Sequence, residues 1–230
     1  TSLGVGPPAF KAKCLTMNKV AHSSCDNNAA LFDAIARDIA DSGYSIQAKA
    51  LPQPLLDKLS DQVQAMPASD FKQAGIGRNS EHQLNQVIRS DDIVWINGAT
   101  AAERAWLDWL ESLKVFLNRR LFLGLSSTES HFAHYGPGDF YKKHSDAFKG
   151  QANRVLSMVV YLNRDWLANN GGELLLYREE ESQAAMKVTP SFGTIVVFLS
   201  EDFPHEVLPT QRDRFSIATW FRCNNSSAIQ

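Results

Sequence analysis

The chain has 230 residues, 44% of them hydrophobic and 21% charged, with a net charge of −2. That is enough for one domain with a buried core, and the balance is ordinary for a globular protein. Near-neutrality excludes a general attraction to nucleic acid or anionic membrane. The apolar run at 155–162 is far too short to span a bilayer.

Residues 1–28 have no period and are rich in Gly, Pro, Ser, Asn and Lys, which reads as a flexible tail. Within it, residues 1–16 precede Met17 and read equally as an added leader or a native extension. Cys14 and Cys25 lie in this tail and Cys223 near the other end. An odd number without a CxxC points to neither disulfide framework nor zinc–cysteine site, so a reducing, cytoplasmic setting is expected.

Residues 29–41 place Leu31, Phe32, Ile35 and Ile39 on one helical face. Residues 54–66 repeat this with Leu55, Leu56, Leu59 and Val63, and Pro54 suits a first turn. A third helix is expected over 101–118, with Trp106, Leu107, Leu110, Leu113 and Val115 as its buried stripe. Between them, 75–98 combines Gly and polar residues with a closing IVWI, the pattern of a mobile hairpin or finger.

From residue 121 the period becomes two. Strands are expected at 130–135, 139–145, 154–162, 173–178, 185–189, 194–199, 205–208 and 214–222, separated by Gly, Pro and Asn turns. Helices first and strands after predict a mainly β fold, a jelly roll buttressed by about three N-terminal helices. We read 29–230 as one domain: helical support and finger over 29–120, jelly-roll core over 121–223.

Four polar residues in the β half stand out. His144 and Asp146 are two apart on an expected strand and leave the same face. About 0.4 such pairs arise by chance at this composition, so the pair alone is a weak motif. His205 opens a short strand and Arg214 follows nine residues later across a turn. A hairpin there sets them roughly 7–13 Å apart at ~3.3 Å per residue. Two imidazoles and a carboxylate form the facial triad of Fe(II) oxygenases, and a guanidinium at that reach suits the far carboxylate of a diacid. Arg214, Ser216, Ala218 and Trp220 share a face; polar residues facing a barrel interior need partners, which a bound dicarboxylate supplies. Zinc hydrolysis is the chemical rival, but it has no use for a remote carboxylate clamp.

The motifs IRSDDIVWING (88–98), HYGPGDFYKKHSD (134–146), RVLSMVVYLNRDW (154–166), Gly171-Gly172 with Leu174, and PHEVLPTQRDRFSIATWF (204–221) occur in one order. Over about 88–222 the chain resembles the prolyl 4-hydroxylase family of Fe(II)/2-oxoglutarate dioxygenases. It is most similar to the hypoxia-inducible-factor prolyl hydroxylases and the bacterial enzymes acting on elongation factor Tu. The resemblance implies a double-stranded β-helix, cupin-like core. It implies iron on His144, Asp146 and His205, and 2-oxoglutarate held by Arg214 with Tyr161. Tyr135, Ser157, Val159, Leu174, Phe198, Val207 and Ser216 then line the cosubstrate pocket. Tyr141, Arg154 and Trp220 face the substrate proline, while the finger, with Arg89 and Asp91, closes over an extended peptide. Oxygen is the second cosubstrate and ascorbate a reductant. The partner is a protein, with elongation factor Tu as a candidate; neither nucleic acid nor membrane is expected.

Each role has a plainer reading. Tyr141, Tyr161 and Trp220 also suit an aromatic core, Arg154 a solvated strand start, and Arg89 with Asp91 a surface ion pair of little worth. His131 and His134 are additions near the expected pocket. His131 shares a face with Ala133 and Tyr135 and reads either as near the metal or, preferably, as a residue at the pocket's edge. The segment from Phe198 to His205 is one residue shorter than in the hypoxia-factor enzymes, which leaves the placement of Ser200 to Phe203 open. Two alternatives to prolyl hydroxylation remain: the same oxygenase chemistry on another protein residue, nucleic acid or small molecule, and a non-catalytic jelly-roll binding module.

Overall fold

A computed structural model describes residues 18–74, 88–147, 153–178 and 186–224, with side chains from residue 28 onward. The chain opens with α1 (Asn18–Ser42), β1 (Tyr44–Gln47), α2 (Gln53–Ala65), β2 (Lys72–Gln73), β3 (Asp92–Trp95) and α3 (Ala101–Leu121). It continues through β4 (Leu125–Tyr135), β5 (Tyr141–His144), β6 (Arg154–Tyr161), β7 (Leu174–Leu176), β8 (Met186–Val188), β9 (Ile195–Leu199), β10 (His205–Val207) and β11 (Arg214–Cys223). The strands form a seven-stranded sheet, β1-β9-β6-β11-β4-β3-β2, and a four-stranded sheet, β5-β10-β7-β8. This is the expected jelly roll with helices outside it.

Alternation along the strands explains the layering. Phe132, Leu156, Met158, Val160, Ile195, Val197, Ile217 and Phe221 face the helices and pack on Ile35, Leu59, Trp106, Leu110, Leu113 and Leu117. Their odd–even neighbours Ala133, Tyr135, Tyr161, Val196 and Phe198 face inward and pack with Leu174, Leu176 and Val207 of the smaller sheet. Thr100 caps α3, accepting the Glu103 N–H on its Oγ1 at 3.1 Å, while the Glu103 carboxylate accepts from the Asn97, Gly98 and Ala99 amides of the preceding loop. Trp106 Nε1 donates to buried Ser130 Oγ at 2.9 Å, so its indole is satisfied against the sheet.

Four expectations change. The first helix begins at Asn18, inside the expected tail, because elongation adds a hydrogen bond per residue whether or not an apolar face continues. Val115 is exposed and the stripe of α3 runs through Trp106, Trp109, Leu110, Leu113 and Leu117; position 115 lies two residues, about 200°, round the helix from Leu113. The IVWI of the expected finger is largely β3, paired with β4 from Asp92↔His134 to Trp95↔His131. The finger's centre, 75–87, lies outside the described residues. Strand β5 ends at His144, so Asp146 sits in the bend after the strand.

Candidate active site

His144 and His205 are cross-strand partners in β5 and β10. Asp146 follows the end of β5, and ligand atoms of the three residues all lie within 4.8 Å of one another. The Asp146 carboxylate lies 3.9 Å from His144 Nε2 and 3.7 Å from His205 Nε2. Each imidazole is oriented from behind: Nδ1 of His144 meets the Lys142 carbonyl at 2.8 Å, and Nδ1 of His205 meets the Phe203 carbonyl at 3.1 Å. A carbonyl only accepts, so Nδ1 carries the hydrogen and Nε2 offers its lone pair toward Asp146. Tyr141 stacks on the His144 ring with centroids 3.5 Å apart, and Phe198 packs edge-on to His205 at 4.8 Å.

The protonation states favour a cation. Burial, with His205 beside it, brings the His144 imidazole down to about 3. Burial alone raises the Asp146 carboxyl, but His205, His144 and hydrogen bonds from Ser157 and Trp220 outweigh it and bring it to about 2. Neutral imidazoles and an ionised carboxylate are the metal-binding forms.

Arg214 lies on the inward face and is 1% exposed. Its Nε donates to the Gly172 carbonyl at 2.9 Å and its Nη1 to Ser216 Oγ at 3.3 Å, while the Tyr135 and Tyr161 rings flank it at 4.8 and 5.1 Å. Among the described residues no carboxylate pairs with it. The hydroxyl of Tyr161 is buried beside Arg214, and burial pushes it up to about 12, so it remains a donor. A buried guanidinium and a buried hydroxyl without a carboxylate are costly unless a ligand supplies one. Gly172 keeps the space: at φ +68° its missing Cβ would stand 3.0 Å from Arg214 Cδ. The donor sets thus fit both groups in question, a divalent metal at the triad and a diacid at Arg214.

The other expected residues distribute as follows. Tyr135, Tyr161, Leu174, Phe198 and Val207 form one buried cluster, with Val159 and Tyr141 against it. Ser157 is on the expected face, but its hydroxyl donates to the Asp146 carboxylate at 2.6 Å and pairs with Ser200 at 2.9 Å; it braces the triad rather than serving as pocket wall. Ser200, which the sequence left open, is therefore part of the site. Trp220 also bonds Asp146, and the Arg154 guanidinium covers its ring at 3.7 Å. Arg89 and Asp91 are not a surface pair: they form a two-pronged bond of 2.7 and 2.6 Å with Asp91 fully buried, and Arg89 lies 4.3 Å over the Tyr141 ring. His134 faces away from the site, bonded to Asp213 at 2.8 Å and stacked on Phe215. His131 is buried on the site face between Trp95 and Trp220.

Residues 130–222 match the family model of the 2OG-Fe(II) oxygenase superfamily. The fold is similar to a Pseudomonas putida prolyl-4-hydroxylase, with 36% identity and TM-score 0.76 over 84% of this chain and all of that one. It is also similar to a Trichoplax adhaerens prolyl hydroxylase solved with a hypoxia-inducible-factor peptide, with 26% identity and TM-score 0.77 over 87% of this chain and 92% of that one. Among curated proteins, it is 32% identical to a Caenorhabditis elegans hypoxia-inducible factor prolyl hydroxylase over 58% of the chain. It spans only 20% of that relative's length, and 40% of a human relative, Egl nine homolog 1, to which it is 28% identical over 71% of the chain. With a relative 36% identical matched over its whole length, the chain belongs to the 2OG-Fe(II) oxygenase superfamily.

Proposed function

We propose that the protein hydroxylates prolyl residues of a protein substrate, using iron(II), 2-oxoglutarate and oxygen. The observation that carries the cosubstrate is Arg214, a buried cation without a carboxylate partner among the described residues, on the sheet face shared with the brace of Asp146. His144, Asp146 and His205 would hold the metal. Arg214, with Tyr161 and Ser216, holds the distal carboxylate of 2-oxoglutarate. When bound, iron, cosubstrate and oxygen supply the oxidising power: one oxygen atom replaces a proline ring C–H by C–OH, the other leaves in succinate, and carbon dioxide is released.

The chain's own residues orient and shield. The carbonyls of Lys142 and Phe203 fix both histidine rings, and Ser157 and Trp220 fix the carboxylate. Leu174, Phe198, Val159 and Val207 exclude water from the cosubstrate. Tyr141 and Trp220 offer aromatic faces to the proline ring, with Arg154 over Trp220 and Arg89 over Tyr141. An extended peptide lies along this opening, with Trp95 of β3 beside it; the centre of the expected finger, 75–87, lies outside the described residues. The prolyl substrate class is supported by the likeness to prolyl hydroxylases. Elongation factor Tu is a candidate partner, and a cytoplasmic setting rests on the odd, unclustered cysteines.

Mass spectrometry of candidate proteins and proline-containing peptides, incubated with iron, 2-oxoglutarate and ascorbate, tests this reading. A one-oxygen gain on proline that needs both iron and 2-oxoglutarate is the expected result. Oxygen confined to another side chain overturns the prolyl assignment but keeps the oxygenase. Absence of 2-oxoglutarate turnover with every substrate favours a binding module.

A further inference from the structure

The register of the large sheet lays the inward face out as rows. Arg214 pairs with Tyr135; Ser216 pairs with Ala133 and Tyr161 on either side; Ala218 pairs with His131 and Val159; Trp220 pairs with Ser157. The first two rows carry the clamp, and the last braces Asp146. Between them runs a row reading Trp95, His131, Ala218, Val159 and Val196 across five strands. Ala218 and Val159 are only partly buried although they sit on interior strands, so the face is open there. Ala133 and Ala218 are the small side chains between the Arg214 row and the row that braces Asp146.

His131 is the polar residue of that middle row. It is 3% exposed, with Trp95 centred 5.2 Å away on one side and Trp220 5.3 Å away on the other. Its Nδ1 is buried and has no hydrogen-bond partner. A site that strands a buried ring nitrogen needs a bound group to complete it. Burial, then Arg89, holds the imidazole down at about 3, so the ring is neutral and keeps one N–H and one lone pair.

We propose that His131 is a positioning residue for the cosubstrate, bonding through Nδ1–H to the metal-side carboxylate of 2-oxoglutarate. This rests on the 2-oxoglutarate reading above. Arg214 and Tyr161 take one end of the diacid, the metal takes the other, and His131 orients that second end from the β4 side. The flanking indoles keep the ring from turning away and exclude water that would compete for the same nitrogen.

The test is calorimetric titration of N-oxalylglycine, an inert isostere of 2-oxoglutarate, into the full chain loaded with Mn(II), for wild type, His131→Met and His131→Gln. Met matches the ring's bulk without its hydrogen bond; Gln restores a neutral donor. His131→Met is expected to bind N-oxalylglycine about tenfold more weakly, His131→Gln within about threefold of wild type, and both to bind Mn(II) unchanged. Wild-type affinity in His131→Met, or equal losses in Met and Gln variants, overturns the role of His131 alone. Failure of wild type to bind N-oxalylglycine overturns the 2-oxoglutarate reading itself.

Discussion

The two faces of the seven-stranded sheet are built from alternating residues of the same strands, yet they are completed differently. The helix-covered face ends in Phe132, Leu156, Val160, Ile217 and Phe221, all fully buried against apolar side chains. The inward face carries Arg214, Tyr161, Ser216, Ser157 and His131, equally buried but polar. The first face is complete within the chain. On the second, among the described residues, the Nδ1 of His131 has no hydrogen-bond partner and the buried guanidinium of Arg214 has no carboxylate. A period of two lets one strand serve packing and chemistry at once.

The comparison breaks most visibly at the triad. His144→Ala should abolish tight Mn(II) binding, a larger loss than the roughly 10–100-fold cost of removing a residue that only braces a ligand; an unchanged Mn(II) titration would place the metal elsewhere. On the helix face, Leu110→Ala or Ile217→Ala should cost about 2–5 kcal/mol of stability in urea melts, while N-oxalylglycine affinity of the folded fraction stays within about twofold. Arg214→Ala should do the reverse: Mn(II) affinity is kept, and diacid binding falls by about 2 kcal/mol or more, roughly thirtyfold. Ser157→Ala should weaken Mn(II) about tenfold, since Asp146 loses its 2.6 Å brace.

The inward face also sets a pH dependence. His131 stays neutral in the fold down to about 3, whereas an unfolded histidine protonates near 6.5. Below about 6.5 the unfolded chain therefore binds the extra proton, and stability falls as pH drops toward 3. At pH 5 the loss attributable to this ring is up to about 2 kcal/mol. Urea midpoints of the metal-free protein at pH 7 and pH 5 should draw together in His131→Gln; an unchanged slope would mean the ring is hydrated.

Much of this was legible in the sequence because turns punctuate the β half. Each of the eight expected strands exists, and the alternation in β11 already separated Arg214 and Ser216 from Ile217 and Phe221. The triad was legible through the order of its motifs. Register was not: nothing local says that His144 faces His205 across two strands separated by sixty residues. Strand β1 escaped because its four residues follow a helix without visible alternation. The brace of Ser157 on Asp146 was hidden for a related reason, since the face of a residue follows from parity but its partner does not. His134 was a different failure, because parity alone sets it opposite His131 and Tyr135, and its stack on Phe215 follows from that.

A metal centre and a carboxylate clamp on one inward face make 2-oxoglutarate binding depend on both. In a titration of 2-oxoglutarate into the chain with and without Mn(II), in wild type and Arg214→Ala, saturable binding that requires the metal and is lost in Arg214→Ala is the expected result. Equal binding without metal, or undiminished binding without the guanidinium, would contradict it.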